Sequence, residues 1–62
     1  MSCYIAAKPG YVVLTDDHNR LPRGRWRIVT LDLSPQDIAW LAVVLSVARL
    51  NVHVDMDTDM IA

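Results

Sequence analysis

In "DMDTD", Asp55, Asp57 and Asp59 fall at alternate positions, the spacing of the first three ligands in an EF-hand calcium loop. Such a loop needs glycine at its sixth position for a sharp turn, and Met60 stands there instead. His18 lies beside Asp16 and Asp17, and His53 lies two residues before Asp55, so imidazole and carboxylate could meet after folding. No spacing among these residues reproduces a known metal pattern, and both histidines read as ordinary surface residues. Ser34 and Ser46 occupy no nucleophile elbow, no glycine-rich loop opens a helix, and there is no HExxH. Neither an enzyme nor a metal or cofactor site is expected.

Arginine offers the remaining chemistry. "RLPRGRWR" carries Arg20, Arg23, Arg25 and Arg27, four of the six basic residues. Guanidinium forks match phosphates and carboxylates, often through two parallel hydrogen bonds. Trp26, in their midst, could stack on a base or on a guanidinium. Three readings stay open: a loop whose charge is solvated or paired with Asp55, Asp57 and Asp59, pairing with an acidic protein, and contact with nucleic acid.

Composition narrows the field. The net charge of −1 gives the whole chain no strong attraction to nucleic acid or a membrane surface. A hydrophobic fraction of 53% argues against disorder, which needs low hydrophobicity and high charge. Cys3 is the only cysteine, so no intrachain disulfide can form; a lone thiol fits a reducing compartment. Cys3 itself reads as a small apolar strand residue. "MSCYIAAKPG" lacks the basic and long apolar regions of a signal peptide. The longest near-apolar run, residues 38–48, is 11 residues long, well short of the roughly 18 to 20 a membrane span needs. A soluble, cytoplasmic protein with no membrane partner is expected.

The elements that must position these groups are legible in part. "CYIAA" and "YVVLT" are short β-type runs joined by "KPG", where proline and glycine suit the two central positions of a type II turn. Residues 3–8 and 11–15 are therefore expected to form a hairpin. Residues 16–25 read as an exposed loop. "WRIVTLDL", residues 26–33, is the clearest strand. It places Arg27, Val29, Leu31 and Leu33 on one face and Trp26, Ile28, Thr30 and Asp32 on the other. Neither face is cleanly polar, so a central position in the sheet is expected. "SPQD" opens a helix, with Ser34 as N-cap, Pro35 at the first helical position and Asp37 at the positive end of the dipole. The helix is expected to run from about 35 to 50, with Arg49 in its last turn and Asn51 stopping it in a left-handed conformation. "NVHVDMD" alternates again and reads as a last strand at a sheet edge, its aspartates discouraging wrong pairing. The order β-β-β-α-β predicts a small α+β fold, a single domain over residues 1–62: an antiparallel or mixed sheet with one helix on one face.

That helix, "DIAWLAVVLSVARL", is apolar nearly all round. At 100° per residue, Ile38, Leu41, Leu45 and Ala48 share one face, with Val44 at its margin; Trp40, Val43, Val47 and Leu50 form the opposite one. Burying one large apolar side chain is worth about 1.5–3 kcal/mol, against about 5–15 kcal/mol for a whole domain. Four such side chains left wet forgo a term as large as the net stability. A second copy, a different protein, or the chain's own loop and hairpin could cover the second row. The first is the expectation: a homodimer through Trp40, Val43, Val47 and Leu50 that regulates or inhibits a larger protein. The alternative is a small nucleic-acid-binding regulator using Arg20, Arg23, Arg25 and Arg27.

Overall fold

The computed structural model describes residues 2–56. In chain order they form β1 (Ser2–Lys8), β2 (Tyr11–Thr15), β3 (Arg27–Asp32), the helix α1 (Pro35–Val47) and β4 (Asn51–Asp55). The strands make one mixed sheet in the order β3-β1-β2-β4. β1 runs antiparallel to both β2 and β3, while β4 runs parallel to β2. This is the α+β arrangement of one sheet and one helix that the sequence predicts.

Local chemistry accounts for the joints. Lys8 pairs with Tyr11 across the hairpin, and Gly10 takes φ 84°, the positive value that the second central residue of the turn requires. Ser34 Oγ accepts the Asp37 N–H at 3.1 Å, which caps the start of α1, and donates to the Asp37 carboxylate at 2.9 Å, which holds the capping hydroxyl in place.

The expectations for β3 and for the end of the helix need correcting. β3 is not central: it sits at one edge of the sheet with β1 as its single neighbour among the described residues. β4 does lie at an edge, as expected, but at the far one, beside β2. The helix ends at Val47, so Arg49 is not in its last turn; Arg49 itself takes the left-handed conformation, φ 66°, and Asn51 begins β4.

The register sorts the sheet into two faces. Cys3, Ile5, Ala7, Val12, Leu14 and Val52 look toward α1, where Ile38, Leu41, Ala42 and Leu45 meet them. Cys3, Leu14 and Ile38 are fully buried in this layer. On the other face the loop after β2 packs back over the sheet. His18 meets Tyr4 edge to face, with ring centroids 5.6 Å apart, and Trp26 lies under Lys8. Ala6 and Thr15 are fully buried on this side. The buried Thr15 hydroxyl is satisfied, accepting the Asp17 N–H at 3.1 Å.

Candidate functional site

The loop that could have folded over the helix covers the opposite face of the sheet instead. Among the described residues, nothing covers the outer row of α1. Trp40 is 67% exposed and Val47 77%, with Val43 and Val44 also open. Val44, at the margin of the helical wheel, thus joins the outward set.

Leu50 leaves that set, and the end of the helix explains why. The Leu50 N–H donates to Leu45 O at 3.2 Å and the Arg49 N–H to Ser46 O at 2.9 Å. These are the two bonds of a Schellman motif, with Arg49 as its left-handed residue. The reversal turns Leu50 back beneath the helix, where it packs against the core with Leu45. A wheel continued past residue 47 cannot see this. The same error put Ala48 toward the sheet; Ala48 is exposed, and Ala42 packs on the core in its stead.

The structure adds an apolar surface that the sequence did not single out. Every residue of β3 is exposed, with Ile28 at 46%, Val29 at 50% and Leu31 at 43%. The cause is geometric. A helix is about 10 Å across and neighbouring strands are about 4.8 Å apart, so one helix cannot cover all four strands. α1 packs closest to β4, at the far edge. Val29 and Leu31 therefore have no helix above them, although they point to the helix side. An edge strand with apolar residues on both faces could have suggested this, but which strand is the edge is settled only by pairing.

The arginines divide. Arg20 forms ion pairs with Asp55 at 2.9 Å and with Asp17 at 3.6 Å, so it is drawn toward the acidic side of the molecule. Asp55 is thus one acidic partner that the sequence anticipated; Asp57 and Asp59 lie outside the described residues. Arg25 and Arg27 line a cleft of about 290 Å³ with Ala7, Lys8 and Pro9. Arg23 is exposed nearby, its carbonyl accepting the Trp26 indole N–H at 3.1 Å. Lys8 Nζ stands 4.5 Å from the Trp26 ring centroid and 5.2 Å from that of Tyr11. Trp26 is half-buried in this packing, with one ring face already taken by a cation.

Charge is segregated along the strands. Lys8, Arg27 and Arg49 fall at the end of the sheet that holds the hairpin turn; Asp32 and Asp55 fall at the other end, with Asp16 and Asp17 just beyond β2, Asp37 in the first turn of α1, and Arg20 paired among them. The described residues contain no cluster of three or more metal-ligating side chains. No helix among them is long and apolar enough to cross a membrane. No protein family, no curated protein and no solved structure matches the chain.

Proposed function

We propose that this chain is a non-enzymatic protein-interaction module, a homodimer that regulates or inhibits a larger protein, with the outer row of α1 as its association surface. The observation that carries the reading is that row: Trp40, Val43 and Val47 stand exposed on a capped helix. Tryptophan is enriched at the centres of protein interfaces, where desolvation is worth most. Apolar surface of this kind favours association in proportion to the area removed from water.

Sedimentation equilibrium at micromolar concentration tests the dimer. A dimer is expected, and a clean, soluble monomer would sink that part of the reading. Affinity capture from the source cell tests the partner. Wild-type bait is expected to retain a protein that folded Val47→Lys bait loses; equal recovery by both counts against the helix row.

A second reading is favoured by one specific observation, the convergence of Lys8, Arg25 and Arg27 on one cleft. It makes the chain a nucleic-acid-binding regulator working through its cationic end. Binding to DNA and RNA oligonucleotides, followed as salt rises, tests it.

A further inference from the structure

We infer that β3 pairs with the β3 of a second copy, antiparallel, about a two-fold axis at Val29, giving one continuous eight-stranded sheet. The inference rests on the homodimer proposed above and assigns its surface to the open strand edge, leaving the α1 rows free for another protein.

Among the described residues no strand pairs with the outer edge of β3, which offers a row of backbone N–H and C=O groups to a further strand. Natural edges are blunted by lysine, proline, bulges or inward charges. β3 has none of these between its ends: the register from Ala7↔Arg27 to Ser2↔Asp32 is unbroken, and the interior reads Ile28, Val29, Thr30, Leu31. The other edge strand, β4, carries His53 in its interior and ends on Asp55, which pairs with Arg20. The interior of β4 thus includes a polar ring, whereas that of β3 holds three apolar residues and one threonine.

Charge selects the occupant and its direction. Among the described residues, Lys8, Arg27 and Arg49 make the hairpin end of the sheet cationic, and at the opposite end the carboxylates of Asp16, Asp17, Asp32, Asp37 and Asp55 outnumber the one cation there, Arg20. An antiparallel second copy sets the cationic end of each sheet beside the anionic end of the other; a parallel strand from a second copy would set like beside like. An antiparallel pair of identical strands also closes on itself, so assembly stops at two.

The pleat restricts the register. Residues directly opposite each other share a face, so the dyad must pass through one residue and its copy. Centred on Val29, it sets Val29 against its own copy, Ile28 against Thr30 and the Arg27 stem against Leu31. Centred on Thr30, it would set Ile28 against the Asp32 carboxylate. The first arrangement is the one proposed. Both helices then lie on the same face of the joined sheet, each toward its own outer β4.

Cysteine cross-linking of the full chain tests this. The two copies of position 29 would lie about 4.5–5.5 Å apart, within reach of a disulfide. The two copies of position 31 would lie about 13 Å apart along the strands, at about 3.3 Å per residue. Under mild oxidation Val29→Cys is expected to become a covalent dimer, while Leu31→Cys, Val47→Cys and the wild type, whose Cys3 is buried, remain uncrosslinked. A non-covalent check uses Val29→Lys, which places two like charges at the dyad; its dimer should dissociate about twofold to fivefold more readily than that of Val47→Lys. Cross-linking at Val47→Cys but not at Val29→Cys would overturn the edge pairing and keep the homodimer. A monomeric wild type would overturn both.

Discussion

Cys3 shows how burial sets the chemistry of a single side chain. Its thiol is fully enclosed between β1, β2 and α1, and its pKa is raised above the usual 9.0, first by loss of solvent and then by the negative charge of Asp16. The proton is therefore held more tightly in the folded chain than in the unfolded one. Stability from this source is complete below about pH 9 and is lost as pH rises through the higher folded value. Denaturation midpoints of the wild type should thus fall above pH 9 more steeply than those of Cys3→Ala. A thiol reagent at neutral pH should react with Cys3 only as fast as the protein opens, and immediate stoichiometric labelling would contradict that. The expected reading of Cys3 as an apolar strand residue agrees with this placement. Arg20 makes the opposite point. Its bond to Asp55 is short, but both side chains are well exposed, and such pairs contribute about 0–1 kcal/mol.

At the scale of elements, the ends of α1 differ in how well their residues suit their tasks. The N-terminus has serine, proline and aspartate in the positions that cap and charge it best. The C-terminus places arginine where the backbone is left-handed, at φ 66°. A side chain in that conformation costs roughly 1 kcal/mol that glycine avoids. Arg49→Gly should therefore raise stability by about 0.5–1 kcal/mol, read as a higher urea midpoint with an unchanged slope. A fall in the midpoint would mean that the Arg49 side chain contributes more than its backbone costs. The start of the helix and the turn at Pro9 and Gly10 were legible because their signals lie within four residues. The exposure of β3 was not, because it depends on which strands flank it and where the helix lies.

For the whole molecule, the separation of charge matters more than its sum. A net charge of −1 suggests indifference to polyanions, yet among the described residues Lys8, Arg27 and Arg49 fall at one end of the sheet, while Asp32 and Asp55 fall at the other with Arg20 as a paired cation. If the cationic end binds nucleic acid, affinity should fall as salt rises, by about 0.9 in log–log slope for each duplex phosphate neutralised. Replacing both Arg25 and Arg27 with alanine should then flatten that slope by about two, whereas Arg20→Ala, which removes a residue already paired with aspartates, should change it little. Binding that ignores salt would exclude this reading.

The sequence by itself determined the order of elements, the hairpin turn, the cap of the helix and the surplus of apolar surface on α1. Each follows from short-range geometry: a fixed dihedral, a capping oxygen, a 100° step. Tertiary structure alone decided that Leu50 turns inward, that the loop covers the sheet and not the helix, and that β3 is an open apolar edge. These depend on where segments distant in the chain come to rest, and one helix is too narrow to cover four strands wherever it lies.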